Sequence, residues 1–378
     1  MRNEGLDALL LRVPENVAYI SDAWFGQGLT YLVFPLEKDP ILIHPASETP
    51  SSTWVSDVRE FSTETPDRLS DVLDVGVDFV GKALTDTGMS SGTVGVEDSW
   101  ELVAGTYARY ETNVVGERTL SAFKGKITGC EWKNASPLLI KARAIKTPKE
   151  VRMLKKANAV AEIGLRVFER NLKPGLTEIQ LATSIEHEIV ASGMLKHRAN
   201  RVVACAFIAS GSTTAEAHRY AFGSTRRKLR RGDLVMLELD VIADGYSSDT
   251  TRTFVVGKPN RLQKRLFEAV LDSQTTAISA IKPNVAAAEI ARISNDVIRR
   301  HGFAEYLVHG LGHGIGLAIH ESIPTLHLES KDVLQPGMVH SIEPGIYGQR
   351  IGGVRIEDDI LDTERGAEYL STYQRIPE

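Results

Sequence analysis

Between residues 309 and 321 the chain reads His-Gly-Leu-Gly-His-Gly-Ile-Gly-Leu-Ala-Ile-His-Glu, with His309, His313 and His320 set among glycines at 310, 312, 314 and 316. No other stretch restricts the fold as severely. His309 and His313 have the i, i+4 spacing of a helical metal pair, but a glycine at every second position argues against a helix, each costing roughly 0.5–1 kcal/mol there relative to alanine. The run also fails G-x-G-x-x-G, because residue 315 is Ile, so a phosphate-cradling loop is excluded. Small residues here instead let the main chain pass close to a crowded centre.

Two other runs supply a reason for crowding. Residues 234–242 are apolar enough for a buried strand yet carry Glu238 and Asp240, which share a strand face. Asp244-Gly245 is a hairpin signal, and residues 246–256 return as the next strand with Asp249 inside it. The folded-back pair brings Glu238 or Asp240 near Asp249. Burying several carboxylates without compensation is costly, and Arg252 can neutralise only one charge, so a bound cation is the simplest partner. His313 and Glu343 can complete a mixed nitrogen and oxygen set. Residues 341–347 read as a strand ending in a turn, and 352–359 place Arg355 and Glu357 on one strand face. One histidine and four carboxylates suit two divalent ions of the Mn, Co, Fe or Zn kind better than one structural zinc.

The N-terminal part has a different texture. Residues 5–11 end in an apolar run, 14–20 follow after a turn, and 29–34, 40–44 and 93–96 are further β-type runs. Thr65-Pro66-Asp67 is expected to open a helix carrying Leu69, Val72, Leu73 and Val75 at roughly helical spacing. This alternation points to an α/β layer domain, in which His44 and Trp24 read as packed side chains. Then Lys146-Thr147-Pro148-Lys149-Glu150 sets Thr at an N-cap, Pro at the first helical position and Glu at N3. A long helix should follow, with Val151, Leu154, Ala157, Ala161, Leu165 and Phe168 on its apolar stripe. The boundary is therefore placed near 140, giving domains 1–140 and 141–378. Within the second, Lys173-Pro174-Gly175 with a helix to Gly193 echoes Lys282-Pro283-Asn284 with a helix to Gly302, at the same Lys-to-Gly distance. The echo predicts two α/β halves facing one another across a central site.

Composition narrows the partners. A net charge of -5 gives no drive toward nucleic acid or anionic membrane. The basic run Arg226-Arg227-Lys228 and Arg230-Arg231 lacks interleaved aromatics and reads as a solvated turn. Two distant cysteines, Cys130 and Cys205, support neither a disulfide framework nor a thiolate cage and fit a reducing, cytoplasmic setting. No apolar run approaches the roughly 18 residues needed to span a bilayer, so neither nucleic acid nor membrane is expected as a partner.

With these residues in view, the chain resembles the creatinase and prolidase family of metallopeptidases with the pita-bread fold, which includes aminopeptidase P and methionine aminopeptidase. The resemblance is carried by residues 309–321, 341–347, 352–358 and Ser248-Asp249-Thr250-Thr251-Arg252-Thr253, together with Gly5-Leu6-Asp7-Ala8-Leu9-Leu10, Pro14-Glu15-Asn16-Val17 and the helix entry at Lys146. It implies an α+β protein, an N-terminal creatinase-type α/β domain followed by a pita-bread catalytic domain with an internal pseudo-two-fold repeat. It further implies that Asp249, His313, Glu343 and Glu357 ligate two divalent metal ions (Mn, Co, Zn or Fe), with Asp249 and Glu357 bridging. The family's first ligand is usually an Asp eleven positions before the second, and here that residue is Glu238. Glu238 is favoured as the fifth ligand, with Asp240 on the same face as the alternative. His218, His309 and His320 match positions that hold substrate and stabilise the tetrahedral intermediate, Arg355 is placed with the substrate-binding residues, and Glu343 would relay the proton.

The implied activity is hydrolysis of N-terminal Xaa-Pro bonds in dipeptides or short peptides by a metal-bridged hydroxide, in a homodimer. Prolidases of the family often carry an Arg shortly after the His-Glu pair, where Ser322-Ile323-Pro324-Thr325 stands here, so dipeptidase and aminopeptidase preference both stay open. The alternatives are hydrolase or lyase chemistry on a small non-peptide compound, as in creatinase, and a catalytically silent peptide-binding module.

Overall fold

The structure is a computed structural model, and it describes all residues except 25–29, 49, 51, 99–115, 218–222, 372 and 376–378. The chain divides into two units, Met1–Arg143 and Ala144–Glu378. Among the described residues no helix is long and apolar enough to cross a membrane.

In the first unit the order is β1 (Ala8–Leu11), α1 (Pro14–Ser21), β2 (Tyr31–Pro35), β3 (Ile41–Pro45), β4 (Asp57–Phe61), the short pair β5 (Glu64–Thr65) and β6 (Arg68–Leu69), α2 (Val72–Asp86), β7 (Thr93–Val96), α3 (Glu117–Lys126), β8 (Glu131–Asn134) and α4 (Ser136–Ala144). A six-stranded mixed sheet runs β4-β3-β2-β1-β7-β8. Its central strands are apolar throughout because both faces are covered. Leu10, Val33 and Ile43 pack against Val77, Val80 and Leu84 of α2 and Phe123 of α3. On the other face, Leu9, Leu11, Leu32 and Leu42 meet Val17 of α1 and Leu139 of α4.

Two expectations are corrected here. Residues 14–20 form a helix rather than a strand, because Pro14 fills the first helical position, where its missing N–H is no loss, and Glu15 faces the helix N-terminus. The helix expected from Thr65 begins only at Val72, where the Asp71 side chain caps it by accepting from Leu73 N (2.8 Å) and Asp74 N (3.3 Å). The stretch before it turns back as β5–β6 and leaves Leu69 exposed.

Beyond β7 lies a buried polar knot. Glu97 accepts hydrogen bonds from Arg12 N (2.7 Å), Val13 N (2.9 Å) and Asn16 Nδ2 (2.7 Å), while Asn16 Oδ1 accepts from Arg143 Nη1 (2.9 Å). Burial pushes the Glu97 carboxyl up to about 7, against the lowering effect of these donors.

The second unit contains α5 (Pro148–Asn171), α6 (Glu178–Leu195), β9 (Val202–Ser210), β10 (Leu234–Ala243), β11 (Tyr246–Val255), α7 (Arg261–Ala280), α8 (Ala287–Arg300), β12 (Gly312–Gly314), β13 (Glu321–Leu326), β14 (Val339–Ile342), β15 (Gly345–Gly348), β16 (Gly352–Arg355), β17 (Asp358–Thr363) and β18 (Gly366–Tyr369). The Thr147 and Glu150 capping box is present at the start of α5. Ala157, Ala161, Leu165 and Phe168 of α5, with Leu181, Ile185 and Ile189 of α6, pack on Val235, Leu237, Leu239 and Val241 of β10. Odd-numbered residues of β10 thus face the helices, and the period of two turns Glu238 and Asp240 to the opposite face. In the second half, α7 and α8 cover the five-stranded sheet β13-β12-β14-β17-β18, with Ile278, Ile290 and Ala291 against Leu326, Ile342 and Ile360.

The two halves repeat each other in the hydrogen bonds of two turns. Gly175 (φ 94°) donates to Leu229 O at 2.9 Å, and Asn284 (φ 65°) donates to Leu334 O at 2.9 Å. Left-handed backbone at that turn explains why Gly and Asn alone stand there. Gly232 (φ 84°) then donates to Val256 O and Gly337 (φ 92°) to Asp362 O, each at 2.9 Å. Six residues beyond these glycines stand Glu238 and Glu343, at equivalent positions of the two halves.

Candidate metal centre

β10 and β11 form a ladder of ten paired residues closed by Asp244 (φ 50°) and Gly245 (φ 88°), the backbone of a type I′ turn. Its register sets Asp240 opposite Asp249 and Glu238 opposite Thr251, all on the face turned from α5 and α6. From the second half, β12 brings His313, whose main-chain N donates to Ser341 Oγ (3.1 Å). A side chain at Gly312 or Gly314 would collide with the Ser341 or Ile323 carbonyl oxygen, which is the close approach that the alternating glycines permit. Residues 341–347 and 352–359 are not continuous strands. The chain changes sheet at Glu343-Pro344, between β14 and β15, and again at Ile356-Glu357, between β16 and β17, so both glutamates sit at a break.

These elements gather three overlapping groups of donors whose ligating atoms lie within 4.8 Å of one another: Asp249, His313 and His320; His313, Glu343 and Glu357; and Glu238, Asp249 and Glu357. His313 Nδ1 donates to Gly314 O (3.0 Å), which leaves the Nε2 lone pair aimed inward. Nε2 lies 3.5 Å from Asp249 Oδ2 and 3.6 Å from Glu343 Oε1, too far for hydrogen bonds but suited to donors that share an ion at about 2 Å. Burial, reinforced by His320, pushes His313 down to about 3, so the ring is the neutral imidazole a metal requires.

The carboxylates show the opposite strain. Burial first, then Glu357, Asp240, Glu343 and Asp359, push Asp249 well above the usual carboxylate range. Burial and Glu357 do the same to Glu343, and burial raises Glu357 despite Arg355 beside it. Asp249 Oδ1 and Glu357 Oε1 are buried with no hydrogen-bond partner. Orphaned oxygens amid mutually repelling acids fit a divalent cation, which would accept the lone pairs and let the carboxylates ionise.

Around the donors runs a second set of contacts. Glu238 Oε2 forms an ion pair with Arg355 Nη2 and accepts from the Thr251 hydroxyl (2.8 Å), which also lies 2.7 Å from Glu357 Oε2. One hydroxyl proton can serve only one of these two carboxylates at a time. Arg355 Nε donates to Thr251 Oγ1 (2.8 Å) and Nη1 to Tyr347 Oη (3.0 Å). Tyr347 Oη in turn lies 3.1 Å from His309 Nε2, and His309 Nδ1 donates to Gly310 O (2.7 Å). With Nδ1 protonated, Nε2 accepts from the tyrosine, so the proton order runs from Arg355 through Tyr347 to His309.

Among the expected site residues, Glu238, Asp249, His313, His320, Glu343 and Glu357 therefore converge. The His320 ring centroid is 4.1 Å from that of His313. His309 stands one tyrosine away, and Arg355 is buried with its nitrogens engaged by Glu238, Thr251 and Tyr347, serving the centre's own side chains. Asp240 is buried and its charge is felt by Asp249 and Glu343, yet it belongs to none of the three donor groups found among the described residues. His218 lies outside the described residues. Thr251, Ser341 and Tyr347 were not singled out from the sequence. The first two stand two residues from Asp249 and Glu343, so the strand period could have found them. Tyr347 lies on a separate strand, and no spacing rule pointed to it.

Residues 152–364 match metallopeptidase family M24, and residues 1–145 match the creatinase/prolidase N-terminal domain. The chain is 37% identical over 253 residues to an Xaa-Pro dipeptidase of Pyrococcus furiosus, which covers 67% of this chain and 70% of that protein. It superposes on the crystal structure of the prolidase from Pyrococcus horikoshii with a TM-score of 0.80 at 30% identity, covering 99% of this chain and 96% of that one. Against the X-Pro aminopeptidase from Thermotoga maritima the TM-score is 0.77 at 25% identity, covering 100% and 99%.

Proposed function

We propose a function from one premise: the chain belongs to metallopeptidase family M24, and is a metal-dependent exopeptidase with a creatinase-type α/β domain before a pita-bread catalytic domain. Our reading is that it cleaves the bond before proline in Xaa-Pro dipeptides or short peptides with proline second. The observation that carries it is the set of six converging donors with two orphaned oxygens among them. Relatives described as Xaa-Pro dipeptidases and an X-Pro aminopeptidase support the choice of proline.

In this reading Glu238, Asp249, His313, Glu343 and Glu357 hold two divalent ions of the Mn, Co, Zn or Fe kind. Asp249, His313 and Glu357 each take part in two of the three donor groups, so these three would lie at the middle of the set that would hold the metal. When bound, the metal supplies a nucleophilic water at neutral pH and polarises the scissile carbonyl. Glu343, partly exposed and raised by burial, takes the water's proton and returns it to the departing proline nitrogen. His320 donates to the developing oxyanion, an effect worth roughly 3 kcal/mol per donor. His309, oriented by Tyr347, holds the substrate, a role also proposed for His218 from its place in the sequence alone, and Arg355 holds Glu238 in place. A homodimer in the cytoplasm goes with this reading, and two free cysteines support a reducing compartment. Lyase or hydrolase action on a small non-peptide compound, and a silent binding module, are not favoured beside a full donor set in a chain of this family.

The test is release of proline from an Xaa-Pro dipeptide and from an Xaa-Pro tripeptide by purified protein loaded with Mn²⁺ or Co²⁺. Hydrolysis that chelation removes and metal restores is expected. No release from either substrate would sink the reading.

A further inference from the structure

The two breaks at Glu343 and Glu357 pose a problem for the backbone. Where a strand leaves its sheet, main-chain carbonyls lose their ladder partners and must find donors elsewhere. Gln274, on α7 and fully buried, reaches both places: its Nε2 donates to Ile342 O (3.1 Å) and Ile356 O (3.3 Å), the carbonyls immediately before the two glutamates. The same nitrogen lies 3.0 Å from Asp358 Oδ2, so its two N–H groups are shared among three acceptors. Every neighbour is an acceptor, so the amide can be oriented only one way, with its NH₂ toward them. The cost is visible, because Gln274 Oε1 is left buried without a partner, an orphan that an apolar residue of the same length would not create.

Arg252, also fully buried, works from the other side. Its Nη1 donates to Thr251 O (2.9 Å) and Glu357 O (2.5 Å), and its Nη2 to Asp358 Oδ1 (2.5 Å). Asp358 therefore carries Gln274 on one oxygen and Arg252 on the other, and the three side chains form a continuous strut beneath the donors. Neither Gln274 nor Arg252 needs to touch a donor oxygen to act in this way.

We infer that Gln274 is a positioning residue for the metal centre: by tying the two sheet breaks to one side chain, it sets the separation of Glu343 from Glu357. The inference rests on the assignment of these two glutamates as ligands. Loss of such an outer contact typically weakens metal binding by about 10–100-fold. A residue that merely stabilised the fold would lower the melting temperature without that change.

The experiment titrates metal-free full-length protein with Co²⁺, reading affinity by calorimetry and ligand geometry by the visible absorption of bound Co²⁺. Gln274→Met keeps the length and removes the donors; it is expected to bind Co²⁺ about tenfold or more weaker, with an altered spectrum. Gln274→Asn keeps an amide one methylene shorter and should fall between. Ser273→Ala is the control, since Ser273 on the same helix bonds to Ser294 Oγ (2.7 Å) and Ser294 O (2.9 Å), away from either break. It should lower the melting temperature and leave Co²⁺ affinity as it was. Wild-type affinity and spectrum in the Gln274 variants, with only a lower melting temperature, would overturn the inference. Should Gln274→Met not fold, Gln274→Asn against Ser273→Ala decides in the same terms. Glu357→Ala separates the two layers: if it binds Co²⁺ as tightly as wild type, the ligand assignment fails and takes the inference with it.

Discussion

Glu238 and Glu343 stand six residues beyond equivalent glycines in the two halves of the catalytic unit, and their surroundings differ. Glu238 is held by the Arg355 guanidinium and the Thr251 hydroxyl, with its side chain 8% exposed. Glu343 lies 3.4 Å from the Ser341 hydroxyl and 3.6 Å from the His313 ring, and is 15% exposed. A duplicated backbone thus supplies two matching positions, and the neighbours divide the work. The guanidinium makes Glu238 a fixed anchor, whereas burial beside Glu357 raises the Glu343 carboxyl and leaves it ready to accept a proton.

The strongest way to break this contrast is Glu343→Gln. Loss of the proton carrier should lower kcat on an Xaa-Pro substrate by about 10³-fold. No buried charge is stranded, so urea unfolding of the metal-free protein should shift by less than about 1 kcal/mol. Comparable activity to wild type would end the assignment. Glu238→Ala probes the other half. It removes the closer carboxylate of the buried Arg355 and leaves Glu357 at 3.9 Å, and the metal-free protein should lose about 3 kcal/mol in the same unfolding measurement, with Glu238→Asp between. An unchanged unfolding midpoint would show that the ion pair anchors nothing.

A third buried glutamate extends the contrast beyond the metal. Glu97, in the first unit, is met by three hydrogen-bond donors. Its carboxyl keeps a proton up to about 7 in the fold, against a usual value of 4.5. Between those limits the folded chain binds more protons than the unfolded one, so the stability Glu97 contributes is complete below 4.5 and lost as pH rises through about 7. The expected loss is on the order of 2 kcal/mol. Calorimetric melts at pH 5 and 7.5 should show it in wild type, and Glu97→Gln should flatten the difference. An equal slope in both proteins would remove Glu97 as its source.

The same contrast between halves describes what could be read from the sequence. In the first half, signals are local: Thr147-Pro148-Lys149-Glu150 for the helix start, Asp244-Gly245 for the turn, alternate acids for the inward face. Each is a short-range rule, and the structure carries out each one. The Lys173 and Lys282 echo was legible for the same reason, since Gly175 and Asn284 both need left-handed backbone. In the second half, strands of three or four residues end at breaks that no periodicity marks, and 341–347 looked like one strand where there are two. Gln274 gave no sign at all, because its partners are backbone carbonyls 68 and 82 residues away. In the first unit the misread stretches were those where Pro14 and Asp71 decide the start of a helix, competing with β-type or helical composition nearby.

The ten-rung hairpin has one more consequence. On the proposed assignment it brings Glu238 and Asp249 together across eleven residues, whereas Asp249 and His313 share an ion across 64. Closing the longer loop costs the unfolded chain roughly 1.5 kcal/mol more in entropy. An ion held there is therefore a removable cross-link as well as a reagent. A cell that runs short of the metal would hold not an idle copy of this protein but a looser one.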